Sequence, residues 1–356
     1  MMAEARGAIR RVLLTRLKFI GDVVLTTPAV QAVREALPEA EIVYLAEREA
    51  SSLLEHHPAI NAIVGFDFSR PTLGETLRVV RTLRSYRFDL AIDFFSNPRS
   101  ALLCYLSGAP MRVGLDRSAR KRLYTVRVRD DGRSKSAPEF HQQLLTAVGI
   151  RPTGQSPLLV VTAEERLQAR RVIQQLQTPE GGAWAPGASL IVMHVGGTWP
   201  AKLWGAERFA ALADRAVQEL GATVLLSGGP RDAATVDAVL ARVQQPVAPL
   251  GVLPLRMLAA VLAEATAVVS NDAGPMHIAA AIGTPTIGLF GPGQEEIWFP
   301  YERSLGHQAL RHDVPCHPCH LNVCNRTGDG YMECMQGLTV EEVFDALRGT
   351  VAVRPR

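Results

Sequence analysis

The sequence predicts an α/β protein with two domains, each built around a parallel β-sheet. Its 356 residues are about twice the length of a typical domain of roughly 150 residues. Short apolar runs alternate with segments of helical period, and this alternation stops and then restarts near the middle of the chain. Strands that alternate with helices are typical of a parallel sheet covered by helices on both faces.

In the first half, the predicted strands are short apolar runs, and the predicted helices carry apolar residues three or four positions apart. Val30, Val33 and Leu37 have this spacing. We predict strands at 12–15, 41–45 and 90–94 and helices at 28–37 and 77–83.

The second half repeats the pattern. We predict strands at 190–194, 223–227, 267–270 and 286–290 and helices at 206–220, 255–264 and 276–282. Segments rich in Pro and Gly separate the halves, and we place the domain boundary at 158, giving domains 1–158 and 159–356. A boundary after a helix at 163–177 is the alternative, and the last helix is a candidate for crossing back to the first domain. We expect the two domains to face each other across a cleft, because ligands bind beyond the carboxyl ends of parallel strands.

Composition excludes several classes of protein. With 47% hydrophobic and 21% charged residues, the chain is not disordered, collagenous or stapled by disulfides. A formal net charge of +3 does not indicate a nucleic-acid binder. No apolar run has the roughly 18 residues of a membrane-spanning helix, and the apolar piece at 12–14 is too short for a signal peptide. We therefore expect a cytoplasmic protein with reduced thiols.

The loop after the first strand carries the first candidate site, Lys18-Phe19-Ile20-Gly21-Asp22. Gly21 lets the backbone turn, and the helix that follows favours an anion at its N-terminus. Asp22 is a candidate general base that removes a proton from a hydroxyl nucleophile. The alternative is a helix-capping aspartate. Lys18 is expected to be a solvated surface residue.

The second candidate site is His194-Val195-Gly196-Gly197-Thr198, again directly after a strand. Two glycines and a hydroxyl group suit a phosphate, because their bare N–H groups can close on its oxygens. Lys202 follows four residues after Thr198 and can bring an ammonium to the same phosphates. The pattern is neither the dinucleotide motif nor the P-loop. A glycine turn beside a surface lysine is the alternative interpretation.

The third candidate site is the segment 270–277, Ser-Asn-Asp-Ala-Gly-Pro-Met-His, which leads into three alanines. A helix of such small residues lets a ligand approach its N-terminus closely. Asp272 could accept from a sugar hydroxyl or cap the helix. His277 could contact a ligand, although a structural histidine is the commoner role at such a position.

These motifs resemble the glycosyltransferase family of bacterial lipopolysaccharide heptosyltransferases. The matching segments span nearly the whole chain and are LLTRLKFIGDVVLTTPAVQAVREALPEAEI, HVGGTWPAKLWGAERFAALADR and VVSNDAGPMHIAAAIGTPTIGLFGP. The resemblance implies a GT-B fold, with two Rossmann-like domains whose parallel sheets face a central cleft. It also implies inverting transfer of heptose from ADP-L-glycero-D-manno-heptose to the lipopolysaccharide inner core, onto a Kdo or heptose unit on lipid A.

The resemblance also implies roles for individual residues. Asp22 matches the family's catalytic base, and Leu253 falls where the family packs an apolar residue against adenine. The implied donor-binding residues are Thr198, Lys202, Leu253, Asp272, Ala273, Gly274 and His277. No metal cofactor is required on this interpretation, because Lys202 and the N–H groups can stabilise the departing ADP.

One departure from the family pattern concerns the nucleotide. In some members an acidic residue after the strand matching 225–227 holds the ribose, whereas here Gly228-Gly229-Pro230 follows and Asp232 is only nearby. A transferase that uses another nucleotide sugar therefore stays open as an alternative function.

The acceptor side is predicted from charge. The segment 111–135 contains nine basic residues against three acidic ones, and Asn97, Arg99 and Arg120 are the candidate acceptor-binding residues. A solvated loop is the ordinary explanation of such a run. The acceptor is anionic and membrane-anchored, however, and basic residues near a bilayer contribute about 1 kcal/mol each. We therefore predict peripheral contact with the cytoplasmic face of the inner membrane.

Four of the five cysteines lie within 19 residues, as Cys316, Cys319, Cys324 and Cys334. Such clustering in a reducing compartment suggests a structural metal. The gaps fit no standard zinc finger closely, and free or paired thiols are the favoured alternative. A non-catalytic, metal-carrying relative of the family is the corresponding alternative function. Cys104, in an apolar stretch, is expected to be a core residue.

Overall fold

The protein is described here by a computed structural model that covers residues 9–67, 72–116, 122–176 and 184–353. The chain divides into two compact units, Met1–Val160 and Val161–Arg356. Within the described ranges each unit contains a six-stranded sheet in which all paired strands are parallel. The predicted α/β class with parallel sheets is confirmed.

In the first unit the strand order is β3-β2-β1-β4-β5-β6, which is the order of a Rossmann sheet. The strands are β1 (Arg11–Thr15), β2 (Glu41–Glu47), β3 (Ala62–Phe66), β4 (Leu90–Asp93), β5 (Met111–Leu115) and β6 (Val126–Val128). In such a sheet a ligand binds beyond the carboxyl ends of the two central strands, where the strand order reverses. Here that point lies between β1 and β4.

The helices of the first unit pack on this sheet in contacting pairs. They are α1 (Ile20–Val24), α2 (Thr27–Ala36), α3 (Arg48–Ser51), α4 (Leu73–Tyr86), α5 (Pro98–Leu106) and α6 (Ala137–Thr146). Helix α2 contacts α6, and α4 contacts α5. Val79 of α4 and Leu103 of α5 share one buried cluster with Leu13 of β1, so α4 and α5 lie over the same core.

Local sequence explains where the helices of this second pair begin. The Thr72 hydroxyl accepts the N–H of Glu75 at 3.1 Å and caps α4. Asn97 Oδ1 accepts the N–H groups of Arg99 and Ser100 at 2.9 and 2.8 Å and caps α5, whose first residue is Pro98.

The second unit has the same strand arrangement, in the order β12-β11-β10-β7-β8-β9. Its strands are β7 (Leu190–His194), β8 (Thr223–Ser227), β9 (Val247–Pro249), β10 (Ala267–Asn271), β11 (Thr286–Phe290) and β12 (Gln308–Arg311). The order again reverses between the two central strands, here β7 and β10, so the segments after β7 and after β10 emerge side by side.

Two of the helices of the second unit close its core. The helices are α7 (Ala163–Gln175), α8 (Ala206–Leu220), α9 (Ala233–Leu240), α10 (Leu255–Glu264), α11 (Gly274–Ala281), α12 (Glu295–Trp298), α13 (Glu333–Gln336) and α14 (Val340–Val353). The last helix, α14, packs against α8, and Phe344 lies in the same buried cluster as Phe209 and Trp204. No helix within the described ranges is long and apolar enough to cross a bilayer.

Candidate active site

The loop between β1 and α1 holds Asp22, the predicted general base. Asp22 is the third residue of α1, and its Oδ2 accepts the N–H of Phe19 at 3.2 Å. This contact corresponds to the capping role considered above. The other oxygen, Oδ1, accepts from Arg16 Nη2 at 2.5 Å, so the carboxylate both caps a helix and pairs with an arginine. Lys18 is one-third exposed, with Nζ 3.8 Å from Glu47 Oε1, so it is only partly solvated.

Arg16 is a residue that sequence reasoning did not single out. Its guanidinium lies 4.3 Å from the centre of the Phe95 ring, and Nη1 donates to the carbonyl of Phe94 at 3.3 Å. Arg16 directly follows β1 and Phe94 directly follows β4, so these contacts join the two loops at the point where the strand order reverses. A basic residue directly after a strand, six positions before an acid, is the signal that could have identified it.

Buried polar groups fix the loop against which Arg16 packs. Asp93 is fully buried at the end of β4, and its Oδ1 accepts the N–H groups of Phe95 and Ser96, each at 2.9 Å. The hydroxyl of Tyr124 donates to Asp93 Oδ2 at 2.6 Å. Phe95 therefore presents its ring to Arg16 from a rigid turn.

His141 of α6 is buried near Arg16 and is uncharged at neutral pH. Burial, and after it the positive charge of Arg16, lower the pKa of His141 to about 3. Its Nδ1 lies 3.2 Å from the carbonyl of Leu25, so Nδ1 must carry the proton and donate it.

In the second unit, Asn271 connects the predicted phosphate loop to the segment that carries Lys202. Asn271 is fully buried at the end of β10, and its Nδ2 donates to the carbonyls of Val195 and Gly196 at 2.9 and 3.1 Å. Its Oδ1 accepts the N–H of Trp204 at 3.2 Å. Sequence reasoning included Asn271 in a motif but gave it no role, because the role depends on three segments that are distant in the chain.

Lys202 and Asp272, both predicted donor-site residues, form an ion pair. Lys202 Nζ lies 2.6 Å from Asp272 Oδ2, and the two side chains are 18% and 6% exposed. Lys202 Nζ also lies 4.6 Å from the centre of the Trp199 ring. The buried carboxylate and the indole face together hold the ammonium of a side chain that is partly exposed.

The pair stands beside the N-terminus of α11. The helix begins at Gly274, and its N-cap residue Ala273 has no side-chain oxygen to accept the first N–H groups. A Cβ at Gly293 would lie 2.8 Å from Asp272 Oδ2, so the next loop approaches the carboxylate too closely for a side chain. A helix N-terminus beside an ammonium is an environment that favours an anion.

His277 of α11 is buried behind this pair. Its Nδ1 lies 3.1 Å from the hydroxyl of Tyr301. Burial lowers the pKa of His277 to about 3, and the charge of Lys202 contributes in the same direction. The imidazole is therefore neutral at physiological pH and has a satisfied hydrogen bond.

Asp232 comes close to the glycine-rich loop after β7. Its Oδ2 accepts the N–H of Gly229 at 2.8 Å. A Cβ at Gly196 would overlap the Asp232 carboxylate. No acidic residue directly follows β8. Asp232, four residues after Gly228, nevertheless places its carboxylate at the carboxyl end of the sheet, against Gly196 and Gly229.

The remaining predicted site residues vary in exposure. Thr198 is exposed and Leu253 is half-buried. Among the acceptor candidates, Asn97 uses Oδ1 to cap α5, and Arg99 is exposed with its guanidinium 5.7 Å from the centre of the Phe66 ring. Arg120 lies outside the described residues.

The cysteine-rich segment contains free thiols. In the part of the chain that the structure describes, no group of three or more His, Cys, Asp or Glu side chains is placed to hold a metal ion. Arg326 Nη1 lies 3.6 Å from the sulfur of Cys316, the N–H of Met332 donates to Cys324 Sγ at 3.3 Å, and burial raises the pKa of Cys334. Cys104 is buried in the first core, as predicted.

Known proteins share both the sequence pattern and the fold. Residues 76–327 match the model of glycosyltransferase family 9 (heptosyltransferase). Lipopolysaccharide heptosyltransferase 1 of Pseudomonas aeruginosa is 31% identical over 324 residues, which cover 88% of this chain and 87% of that protein.

Two solved structures show the same architecture. The glycosyl transferase family 9 protein from Veillonella parvula superimposes with a TM-score of 0.81 at 24% identity, covering 97% of this chain and 98% of that one. The ADP-heptose LPS heptosyltransferase II of E. coli gives 0.79 at 23% identity, covering 96% and 98%. The fold is therefore GT-B, and the family match extends over most of the chain. The chain belongs to glycosyltransferase family 9, the heptosyltransferase family.

Proposed function

We propose that this glycosyltransferase moves heptose from ADP-L-glycero-D-manno-heptose to a Kdo or heptose unit of the lipopolysaccharide inner core, with inversion. The names of its relatives supply the donor and the acceptor. The observation that carries the proposal is the Lys202–Asp272 ion pair beside the N-terminus of α11. It is a partly buried cationic position of the kind that a nucleoside diphosphate requires.

The second unit binds the donor on this proposal. Lys202 contacts the diphosphate, Thr198 adds a hydroxyl donor, and the backbone at Ala273 and Gly274 offers N–H groups. Asp272 holds Lys202 in place and lies by the sugar, while His277 supports the helix from behind. As ADP departs it gains negative charge, which Lys202 and the helix N-terminus stabilise in the transition state.

The nucleoside is held on the other side of the same loop. Leu253 packs against adenine, and Asp232 accepts from a ribose hydroxyl, since its carboxylate stands against Gly196 and Gly229. The placement of Asp232 supports a ribonucleotide donor in spite of the glycines at 228 and 229.

The first unit supplies the acceptor site and the base. Asp22 removes the proton of the acceptor hydroxyl as the oxygen attacks the anomeric carbon, and Arg16 keeps its carboxylate in position. Asn97, Arg99 and Arg120 contact the anionic acceptor.

The reaction balances as a single displacement. The acceptor oxygen forms a bond to the anomeric carbon while the bond from that carbon to the β-phosphate oxygen breaks, and ADP leaves with the bonding electrons. The acceptor proton goes to Asp22. One displacement from the face opposite the leaving group inverts the anomeric configuration. Lys202 and the N–H groups neutralise the leaving group, so we expect activity to persist in EDTA.

The acceptor also gives the protein its place in the cell. Lipid A sits in a bilayer, so we propose peripheral contact with the cytoplasmic face of the inner membrane. The described basic residues Arg122, Arg127, Arg129 and Arg133 are exposed and can face anionic lipid. Arg112 is half-buried and donates to the carbonyls of Leu123 and Ala109, so its role is structural.

The test is incubation with ADP-heptose and defined core acceptors, with both products identified by mass spectrometry. We expect ADP and an acceptor heavier by one heptose. NMR should show that the anomeric configuration of the new linkage is inverted relative to the donor. UDP- and GDP-sugars in parallel reactions cover the alternative donors. Transfer from one of these but not from ADP-heptose would contradict the donor assignment, and a retained linkage would contradict the single displacement.

A further inference from the structure

Four exposed apolar side chains lie on α4 and α5, two helices that contact each other. Leu73 and Leu77 of α4 are 76% and 52% exposed, and Leu102 and Tyr105 of α5 are 43% and 50% exposed. They are four of the ten large apolar side chains exposed in the described ranges. The two helices contact each other over one core, so these side chains belong to one surface. Solvent-exposed apolar groups that cluster in this way mark a binding surface.

The same surface is basic. Helical spacing places Leu73, Leu77, Arg81 and Arg84 on one stripe of α4, with the leucines in its first turns and the arginines in its last. Both arginines are exposed. The only acid in α4, Glu75, is paired with Arg78 at 2.6 Å and Arg48 at 3.4 Å, and α5 contains no acid. Leu73, Leu77, Arg81, Arg84, Leu102 and Tyr105 define what we call the α4–α5 face.

The α4–α5 face borders the carboxyl ends of the strands, where the loop that carries Asp22 also lies. In a parallel sheet each helix starts at the carboxyl end of the preceding strand. The first turns of α4 and α5 therefore stand at the edge where the loop after β1 also emerges. Leu73, Leu77 and Arg99 lie in the first two turns of these helices, so the leucines of α4 are at the same end of the sheet as the loop that carries Asp22.

We propose that the α4–α5 face is the docking surface for an anionic lipid bilayer. The leucines and Tyr105 enter the boundary between headgroups and acyl chains, and Arg81 and Arg84 pair with lipid phosphates while their stems lie along the apolar surface. The charge of the face, which is basic with its acid already paired, favours an anionic membrane over a protein partner. This inference rests on the proposed function, because docking brings the protein to the membrane in which the proposed acceptor is anchored.

The test is sedimentation of the purified protein with vesicles at low salt. One set is phosphatidylcholine containing phosphatidylglycerol and the other is phosphatidylcholine alone. We expect the protein to bind the anionic vesicles, with binding weakened by salt. The double substitution Leu73→Ser with Leu77→Ser should lower the partition coefficient about tenfold or more, since two apolar anchors are lost. Arg81→Ala with Arg84→Ala should lower it by about tenfold as well.

Matched controls lie on α7 in the second unit. Leu167 is 50% exposed and Arg171 is exposed, so Leu167→Ser and Arg171→Ala make the same chemical changes away from the face. Both should bind vesicles like the wild type. All the substituted side chains are exposed, and unchanged thermal midpoints would verify that each variant is folded.

Three results would overturn the inference. The leucine variant could bind as the wild type does. Substitution of Arg127 on β6 and of Arg129 directly after it could abolish binding while the variants of α4 leave it intact, which would move the surface to β6. The protein could instead form dimers that the leucine variant dissociates, without binding vesicles. Transfer to a deacylated, water-soluble acceptor is measured separately and should not change in the leucine variant, so a failed docking surface is distinguishable from a failed transferase assignment.

Discussion

The two units place similar ion pairs at equivalent points of their sheets and use them in opposite ways. In the first unit Arg16 and Asp22 are 2.5 Å apart and both side chains are 13% exposed. In the second unit Lys202 and Asp272 are 2.6 Å apart, and the lysine is the more exposed partner, at 18% against 6%. Arg16 is engaged by Phe94 and Phe95 on its other side, and on the proposed function Asp22 is the reacting group of its pair. Asp272 is the more buried partner of its pair, and on the proposed function Lys202 is the group that meets the ligand.

A neutral histidine lies behind each pair. The pKa of His141 and of His277 is lowered to about 3 in each case, first by burial and then by the nearby cation, Arg16 or Lys202. The difference between the sites thus comes from which member of the ion pair the surrounding loops leave open. One sheet architecture can present a base in one unit and an anion-binding cation in the other.

The largest expected effect is that of Asp22→Asn. If Asp22 is the reacting member of its pair, the amide keeps the shape of the side chain but cannot accept the proton, and kcat should fall by a factor of about 10² to 10⁴. Calorimetric titration with ADP should give the affinity of the wild type, because the donor is bound by the other unit. Wild-type turnover in this variant would reduce Asp22 to a capping residue.

Lys202→Ala tests whether the cation of the ion pair in the second unit binds the donor diphosphate. It should weaken ADP binding and lower kcat/KM by about 10² to 10³, since the cation at the leaving group is lost. Lys202→Arg, which keeps the charge next to Asp272, is the matched control and should retain most of the affinity. Equal ADP affinity in the alanine variant would show that Lys202 serves Asp272 rather than a diphosphate.

Arg16→Ala should have a smaller effect, because Arg16 acts through Asp22. We expect kcat to fall about tenfold as the carboxylate loses its fixed orientation, with the KM for the donor unchanged. Arg16→Lys should restore part of the rate, because an ammonium can still pair with Asp22. A loss that appears in the donor KM instead, or no rescue by lysine, would argue for a general structural role.

The sequence predicts the central strands well and the edges poorly. The strands 190–194, 223–227 and 286–290 have the predicted bounds, because each is a continuous apolar run in the middle of a sheet. Strands β3, β5, β6, β9 and β12 were not predicted. All five lie at or next to a sheet edge and are partly exposed, so they leave little apolar pattern in the sequence.

The residues of the candidate site also fall into those that the sequence predicts and those that it does not. Asp22, Lys202 and Asp272 stand in local motifs that end strands, so sequence alone can nominate them. Asn271 and the anchoring of Arg16 cannot be assigned locally, because Arg16 is held by Phe94 and Asn271 bonds Val195, residues 78 and 76 positions away. Their roles exist only once the parallel strands bring those loops together.

The smallest expected effect is the contribution of the two buried histidines to the pH dependence of stability. Their folded-state pKa near 3 lies below the ordinary value of 6.5, so the unfolded chain binds more protons as the pH falls. Stability is therefore complete above pH 6.5 and is lost between pH 6.5 and about 3, by up to about 1.4 kcal/mol per pH unit for each histidine. In thermal unfolding between pH 7 and pH 5, His277→Gln should flatten this slope. In the Lys202→Ala variant the pKa of His277 should rise, measured by NMR, because a nearby positive charge is lost. An unchanged pKa would show that the charge of Lys202 does not act on this imidazole.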